Sequence, residues 1–354
     1  GSVTSFENFA ECPLRYYLRY GVDLKEREEF TFSPVNFGVV LHAVIREVCD
    51  EIKKNGESYY LISEEKRREM VKRSVAAITD IYQNSILKDS SRNSFMIKRM
   101  EDLADRTVWA MGEQLKCGDF VPFVFEHKFN MEVGDGDRKQ LMSGTIDRVD
   151  ICENGTDVYV RIIDYKTGKK DFNIVKTYYG IDIQLMVYME AAMKLVAKMR
   201  PGKNVIPAGV FYYNISDPIV SATTESAEEI EDKIKGELRL KGMVNSDKDI
   251  AEKMDNTEGT SLNIPVSRKA DGGFDSRRSK VMNTEQFNIL GRFVDVRAID
   301  TADRIAGGDI RRSPYKDGQF SSCDRCPYGA VCGFSVDLPG CNYRKLKKFD
   351  DEVL

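Results

Sequence analysis

Two strand-like runs joined by a short polar turn constrain the fold of this chain more than any other feature. The first run is Gln140 to Ile151 and the second is Asp157 to Ile163, and the ENGTD segment between them is typical of a hairpin turn. Asp147 and Asp164 each lie near the end of a predicted strand, and Lys166 follows shortly after. In an antiparallel hairpin the two aspartates lie side by side, and the i, i+2 spacing puts Asp164 and Lys166 on the same strand face. We therefore expect these charged side chains to converge on one point.

Helix-like segments alternate with strands on both sides of this hairpin. Apolar residues have helical spacing in segments 5–20 (broken at Pro13), 36–54, 63–118, 183–199 and 285–305, and further strand-like segments are 123–131 and 205–214. This order predicts an α/β fold with a mixed sheet flanked by helices. We interpret the chain as one domain, 1–354, with N-terminal helices (1–56), a helical insertion (57–118), a core (119–214), a loop-and-helix region (215–310) with a mobile loop around 255–273, and a cysteine-rich tail (311–354).

The overall charge does not indicate nucleic-acid binding, because 53 basic and 57 acidic residues leave a net charge of −4. No apolar run approaches the roughly 20 residues that span a bilayer, and the N-terminus lacks the pattern of a signal peptide. We therefore expect a cytoplasmic protein with no membrane association. Gly1-Ser2 resembles a scar of proteolytic cleavage and no initiator Met precedes it, so we expect a piece of a longer protein.

The residues of the hairpin suggest metal-assisted chemistry. Two converging carboxylates repel each other and favour a bound cation, and a hard ion such as Mg²⁺ takes oxygen ligands and suits phosphate chemistry. A lysine beside the ion can orient a water or stabilise charge on a phosphoryl oxygen. The alternative is that Asp147, Asp164 and Lys166 are solvated turn and strand-end residues. Buried neighbours at Ile162 and Ile163, and glycines at 144 and 168 that permit close backbone approach, favour the first interpretation.

GTIDRVD and IIDYKTG, followed by QLMVYMEAA, resemble the RecB-type branch of the PD-(D/E)XK nucleases. The resemblance implies a restriction-endonuclease-like fold and metal-dependent DNA phosphodiester hydrolysis with Mg²⁺ or Mn²⁺. It implies metal ligands at His42 (in GVVLH), Asp147 and Asp164, and catalytic roles for Asp147, Asp164, Lys166, Gln184 and Tyr188.

Purely structural roles remain open for several of these residues. A histidine on an apolar helix is more often a satisfied, partly buried side chain than a ligand, and Gln184 with Tyr188 can simply cap and pack a helix. Glu126 is a weaker candidate for an upstream acidic ligand. His127 points to the opposite face if the strand is regular, so we do not include it in the site.

The eight cysteines argue against a disulfide framework in a cytoplasmic chain. Cys323, Cys326 and Cys332 form C-x2-C-x5-C and need a fourth ligand, which is either Cys341, giving a local zinc knuckle, or the distant Cys12. The other three, Cys49, Cys117 and Cys152, lie in apolar or helical patterns and are expected to be buried as small hydrophobes.

AECPLRYYLRYGVDLKERE at the start and SSCDRCPYGAVCGF at the end resemble AddB-type nuclease domains. This resemblance implies that Cys12, Cys323, Cys326 and Cys332 hold a [4Fe-4S] cluster, with Cys341 left over. It also implies an exonuclease that acts with an AddA-type helicase-nuclease subunit on DNA double-strand breaks in recombinational repair. No G-x-x-x-x-G-K-[ST] is present, so we do not expect ATP hydrolysis by this chain.

Two other classes stay open at this point. One is a catalytically inactive nuclease fold that binds DNA ends or acts as a scaffold, and the other is a CRISPR-associated iron-sulfur nuclease. The substrate is expected to reach the site as single-stranded DNA, with Tyr165, Tyr178 and Tyr179 as candidate stacking contacts.

Overall fold

A six-stranded mixed sheet forms the centre of the molecule, with strands in the order β1-β2-β3-β4-β5-β6. The computed structural model describes residues 1–25, 34–81, 91–133, 139–221 and 225–347. Three segments discussed above lie outside these ranges: the turn predicted at GDGD, residues 82–90 of the predicted insertion, and the end of the KERE segment.

The strands of the sheet are β1 (Val121–Val133), β2 (Gln140–Asn154), β3 (Asp157–Lys166), β4 (Asn204–Asn214), β5 (Lys241–Asn245) and β6 (Val281–Met282). A small second sheet contains β7 (Tyr315–Asp317), β8 (Phe320–Ser321) and β9 (Arg344–Lys345). The helices are α1 (Val3–Glu11), α2 (Pro13–Tyr16), α3 (Pro34–Lys54), α4 (Glu64–Ile81), α5 (Ser91–Lys116), α6 (Ile174–Tyr178), α7 (Gln184–Met199), α8 (Ala227–Glu237), α9 (Lys248–Met254), α10 (Thr284–Ala306) and α11 (Gly329–Cys332), with a π-helical turn at Tyr17–Gly21.

The predicted hairpin is β2 and β3, which pair antiparallel from Asn154↔Asp157 to Arg148↔Ile163. Gly155 in the turn has a φ of +59°, which glycine adopts without steric cost. β3 then pairs parallel with β4, and parallel neighbours need a crossover connection. Helices α6 and α7 provide it, so α7 is placed against β3 and β4.

Apolar layers cover both faces of the sheet. One layer joins it to α3, α4 and α5, and the other joins it to α1, α7 and α10. On α3 the apolar stripe predicted from the sequence is buried: Val40, Leu41, Val44, Ile45 and Val48 are each at most 1% exposed. The mixed sheet flanked by helices, with α4 and α5 as added helices, confirms the predicted fold class.

The region around residues 215–280 contains more structure than its polar sequence predicted, namely α8, β5 and α9. Residues 255–273 contain no named helix or strand, and a buried carboxylate holds the start of this loop. Asp255 is fully buried and accepts hydrogen bonds from Ser261 Oγ at 2.7 Å and Asn263 Nδ2 at 3.0 Å. Polar residues held by a buried acid have no apolar periodicity, so these hydrogen bonds could not be read from the sequence.

A buried group of charges lies on β2 and β3, and we call Arg148, Asp150 and Arg161 the arginine cluster. Arg148 donates from Nε and Nη2 to the two carboxylate oxygens of Asp150, both at 2.7 Å, and Arg161 Nε donates to Asp150 Oδ2 at 2.8 Å. The Arg161 guanidinium also lies 4.8 Å from the centre of the Phe120 ring. All three charged side chains are at most 1% exposed, so the cluster belongs to the core.

The N-terminal helices contact the C-terminal tail. Arg344 donates from Nη2 to the carbonyls of Ala10 and Glu11 and from Nε to the carbonyl of Ser313 at 2.9 Å. Leu14 N–H donates to the carbonyl of Arg311 at 3.2 Å. The bonds of Arg344 to Ala10 and Glu11 close the fold between residues more than 300 positions apart. Within the described ranges, no helix is both long and apolar enough to cross a membrane.

Candidate functional site

Asp147 and Asp164 lie next to each other at the end of the β2-β3 hairpin. The register that pairs Arg148 with Ile163 continues to place residue 147 opposite 164. The backbone N–H of Tyr165 donates to Asp147 Oδ2 at 2.7 Å, which fixes that carboxylate. Both side chains are nearly buried, with 9% and 3% of their surface exposed. The strands therefore bring the two acids together in a recess.

His42 and Glu126 complete a cluster with Asp147. His42 Nδ1 on α3 lies 3.4 Å from Asp147 Oδ1 and 3.8 Å from Glu126 Oε1. Among the described residues, these three are the only group of three His, Cys, Asp or Glu whose donor atoms all lie within 4.8 Å of one another. Asp164, predicted as the third ligand, lies beside this group but outside that limit. We call His42, Glu126, Asp147 and Asp164 the acidic site.

The backbone of β1 is irregular at Glu126. Its φ is +48°, a left-handed conformation that costs a non-glycine residue roughly 1 kcal/mol. Such outliers are held by their surroundings and concentrate at functional sites. From the sequence Glu126 is a weak candidate because half of all glutamates in a regular strand face solvent, and nothing in the VFEHKF segment signals the irregularity.

Gln184 and Tyr188 reach the acidic site from the first two turns of α7. Gln184 Nε2 donates to Asp164 Oδ1 at 3.1 Å and to the Tyr188 hydroxyl at 2.9 Å. The Tyr188 ring meets Phe129 edge to face at 5.6 Å, above Gly144. A Cβ at residue 144 would lie 2.7 Å from Phe129 Cε1 and 3.0 Å from Tyr188 Cε1, so this close approach requires glycine. At Gly168 an added Cβ meets nothing within 4 Å, and the expected close approach there is not found.

Lys166 forms an ion pair with Asp164 Oδ2 and lines the same groove as His42 and Glu126. The groove is open to solvent, has a volume of about 700 Å³, and is also lined by Arg46 and Lys128. The structure thus brings His42, Asp147, Asp164, Lys166, Gln184 and Tyr188 together, and adds Glu126.

The electrostatics of the acidic site reflect carboxylates that are short of cationic partners. Burial, followed by the charge of Asp147, raises the pKa of Glu126 to about 7 and that of Asp164 to about 6. Burial lowers the pKa of His42, but the hydrogen bond and charge of Asp147 outweigh it and raise that pKa overall. Carboxylates with raised pKa values around an imidazole form a donor set that suits a divalent cation such as Mg²⁺ or Mn²⁺.

The tyrosines that were proposed to stack on the bases of single-stranded DNA do not lie free in the groove. Tyr165 is only 4% exposed, with its ring between His42 and Tyr213, and is not free to stack on a base. Tyr178 stacks on Phe293 with ring centres 4.8 Å apart, and the Tyr179 hydroxyl accepts from Lys347 N–H. Tyr178 and Tyr179 are not among the residues that line the groove.

The cysteines divide into two groups. Cys12, Cys323, Cys326 and Cys332 line one small cavity with mainly apolar neighbours, and Cys341 is buried outside it. In the described residues no three cysteine sulfurs lie within 4.8 Å of one another. Four thiolates around one cavity are a donor set for either a tetrahedral zinc ion or an iron-sulfur cluster. Cys49 and Cys152 are buried as predicted, whereas Cys117 is only half-buried.

A family model described as the PD-(D/E)XK nuclease superfamily matches residues 1–333. The chain is also similar to proteins that are each named as a subunit of an ATP-dependent helicase/deoxyribonuclease. It is 34% identical over 363 residues to that of Caldanaerobacter subterraneus subsp. tengcongensis, 34% over 361 residues to that of Clostridium acetobutylicum, and 33% over 364 residues to that of Thermoanaerobacter pseudethanolicus. These matches cover 99% to 100% of this chain but only 31% of each relative. The chain therefore spans about a third of the length of the curated relatives it matches.

Proposed function

Because the chain belongs to the PD-(D/E)XK nuclease superfamily, we propose that it hydrolyses phosphodiester bonds of DNA with the help of a divalent cation. The acidic site is the observation that carries this proposal. Its carboxylates lie against one another at the floor of an open groove, and no arginine pairs with them among the described residues. A cation is what this arrangement requires when the carboxylates are ionised.

In this proposal His42, Glu126 and Asp147 hold Mg²⁺ or Mn²⁺, with Asp164 beside them. The ion supplies Lewis acidity and lowers the pKa of a bound water. Tyr165 N–H holds Asp147, and Gln184 holds Asp164, so the carboxylates are oriented before substrate arrives. Lys166 presents its ammonium group to the groove, where it orients the attacking water and stabilises charge on the phosphoryl oxygens.

The depth of the acidic site supports a single strand as the substrate. Asp147 and Asp164 lie in a recess with less than a tenth of each side chain exposed. A single strand can bend its backbone into such a recess, whereas a duplex holds its phosphates on a rigid cylinder. Arg46 and Lys128 line the groove and provide positive charge for neighbouring phosphates.

The direct test is cleavage of a single-stranded oligonucleotide with and without Mg²⁺. Lys166→Ala should lower kcat by at least about 100-fold, because a general acid-base or charge-stabilising group is lost. Lys198→Ala, which removes an exposed lysine near the far end of α7, should leave the rate unchanged. Cleavage that persists in EDTA, or that is equally fast in Lys166→Ala, contradicts the proposal.

The second part of the proposal concerns the cysteines: Cys12, Cys323, Cys326 and Cys332 hold a [4Fe-4S] cluster with a structural role. Protein purified or reconstituted anaerobically should be brown. Cys12→Ser should lose the visible absorbance, whereas Cys341→Ser should keep it. A colourless protein with one zinc per chain that is released in Cys341→Ser would instead favour the local zinc knuckle.

We place this nuclease in a larger assembly, since its relatives are named as subunits of an ATP-dependent helicase/deoxyribonuclease. An AddA-type helicase-nuclease subunit is the proposed partner, and broken DNA ends in recombinational repair are the proposed substrate. The partner would supply the ATP-driven motion, since the chain contains no G-x-x-x-x-G-K-[ST] segment. Co-elution of the two purified subunits, and faster DNA cleavage by the mixture than by either alone, test this part.

A further inference from the structure

Helix α7 begins without a capping side chain of its own. Its N-cap residue, Ile183, has an apolar side chain and makes no side-chain cap hydrogen bond. The first N–H groups of a helix have no acceptor within the helix and need one from elsewhere. Since α7 carries Gln184 in its first position, the order of this helix end bears directly on the acidic site.

The missing cap comes from Glu7, on α1. Glu7 Oε1 accepts hydrogen bonds from the backbone N–H groups of Ile183 and Gln184, both at 3.0 Å, across 176 positions of sequence. A carboxylate at this place also lies at the positive end of the helix dipole. Burial raises the pKa of Glu7 to about 7, with the charges of Lys170 and Lys166 acting in the opposite direction. Burial makes the ionised form of Glu7 costly, and its hydrogen bonds with the N–H groups of Ile183 and Gln184 offset part of that cost.

A single residue, Gln184, connects Glu7 to Asp164 of the acidic site. The backbone of Gln184 is held by Glu7, while its side-chain amide donates to Asp164 and to the Tyr188 hydroxyl. If the first turn of α7 frays, Gln184 leaves Asp164, because uncapped helix ends lose order first.

Helix α1 is in turn held by the cysteine-bearing ends of the chain. It ends at Glu11, and Cys12 is its C-cap residue, with its N–H donating to the carbonyl of Asn8 at 3.1 Å. Arg344 from the tail donates to the carbonyls of Ala10 and Glu11. A rigid helix thus joins the cysteine cavity at one end to α7 through Glu7.

We propose that Glu7 is a positioning residue for the nuclease site and the link through which the cysteine-bearing ends keep that site ordered. The inference rests on the proposed nuclease function for its catalytic consequence, but not for the cap itself. It predicts that Glu7 can be removed without loss of the cluster, and that the first turn of α7 and the rate of cleavage then change together.

The experiment compares Glu7→Ala and Glu7→Gln with wild type in the 354-residue chain. Hydrogen exchange followed by mass spectrometry reports on a peptide that contains Ile183 and Gln184. Exchange there should accelerate about 5- to 30-fold in Glu7→Ala, the range expected for a lost cap. The kcat on a single-stranded oligonucleotide should fall by a similar factor, with KM and the visible absorbance unchanged.

Glu7→Gln should restore both values, because an amide oxygen accepts the same two N–H bonds. Glu11→Ala is the matched control, since Glu11 lies one turn further along α1 and pairs with Arg15 rather than with α7. Should Glu7→Ala not fold, Glu7→Asp takes its place, because a side chain one methylene shorter cannot reach the helix end.

Exchange at the wild-type rate in Glu7→Ala overturns the proposal. Faster exchange with an unchanged kcat also overturns it, since Glu7 would then be a structural cap alone. If wild type fails to cleave DNA, the nuclease proposal falls by itself, because the exchange measurement needs no substrate and still decides whether Glu7 orders α7.

Discussion

Strands β2 and β3 contribute to two clusters of charged side chains a few residues apart, and the clusters differ in what neutralises them. In the arginine cluster, Asp150 has two guanidinium partners within 2.8 Å and no exposed surface. In the acidic site, Asp147 faces Glu126, Asp164 and His42 beside an open groove. The hairpin thus carries a closed ion network by itself, and it shares an open group of acids with β1 and α3.

The direction of the pKa shifts separates the two clusters. Burial acts to raise the pKa of Asp150, but the charges of Arg148 and Arg161 outweigh it and lower that pKa. In the acidic site burial prevails, and the pKa values of Glu126 and Asp164 are raised. Arginine is always charged, so the first cluster is neutralised permanently. In the acidic site Lys166 pairs with Asp164 alone, so the charges of Glu126 and Asp147 are left to protons, to His42 or to an exchangeable cation.

The largest expected effect comes from the same substitution made once in each cluster. Asp147→Asn should lower the rate of DNA cleavage by at least about 100-fold and leave the melting temperature unchanged or higher, because it relieves repulsion between acids. Asp150→Asn should instead lower the free energy of unfolding by roughly 3–5 kcal/mol, because two buried arginines lose their counter-charge.

Urea unfolding and an oligonucleotide assay on both variants measure this contrast. A strongly destabilised Asp147→Asn, or an Asp150→Asn variant as stable as wild type, would break the distinction between the two clusters.

A smaller effect is expected from pH in the metal-free protein. The pKa of Glu126 is about 7 when folded, against an ordinary value of 4.5. Between those values the folded state binds more protons than the unfolded chain, so the free energy of unfolding falls as the pH rises through this window. The loss is on the order of 2 kcal/mol, and saturating Mg²⁺ should offset it at pH 8, where the carboxylates are ionised.

Thermal melts of wild type and Glu126→Gln from pH 5 to pH 8 in EDTA provide the measurement. The two melting temperatures should diverge with rising pH, with the variant the more stable at pH 8. Parallel curves would mean that the pKa of Glu126 is not raised in the folded state.

The smallest effect is expected at the edge of the acidic site. Tyr188→Phe removes one of the two hydrogen bonds of the Gln184 side chain and leaves the bond to Asp164. It should cost about 1 kcal/mol of stability and only a few-fold in kcat. Steady-state kinetics with a urea titration test this, and a loss near that of Asp147→Asn would instead place the Tyr188 hydroxyl in the chemistry.

Much of the fold could be predicted from local patterns. The β2-β3 hairpin, α3, α7 and α10 have clear apolar periodicity, and the structure contains all of them. Strand β5 has only five residues, too few for a clear alternation, and was not predicted. The hydrogen bonds to Asp255 that hold the loop at 255–273 were not predicted, because bonds among polar side chains leave no periodic trace.

From residue patterns alone the candidate site was predictable only where charges lie on regular strands, and His42, Gln184 and Tyr188 came from the family resemblance. Asp147, Asp164 and Lys166 follow from strand alternation, whereas Glu126 depends on a backbone irregularity that its sequence does not reveal. Glu7 was missed because a cap from 176 residues away has no local signal. The grouping of Cys12 with the tail cysteines came from family resemblance, since spacing alone left Cys341 equally suitable.

The contact of Arg344 with the carbonyl of Ala10 spans 334 positions, and this has a consequence for synthesis on the ribosome. At roughly 5–20 residues per second, the interval between these two residues is about 17–67 s. During that time α1 has emerged but lacks the tail that holds it, so Glu7 has no fixed place from which to cap α7. A nascent chain would therefore acquire its ordered acidic site late, after most of the sheet has been translated.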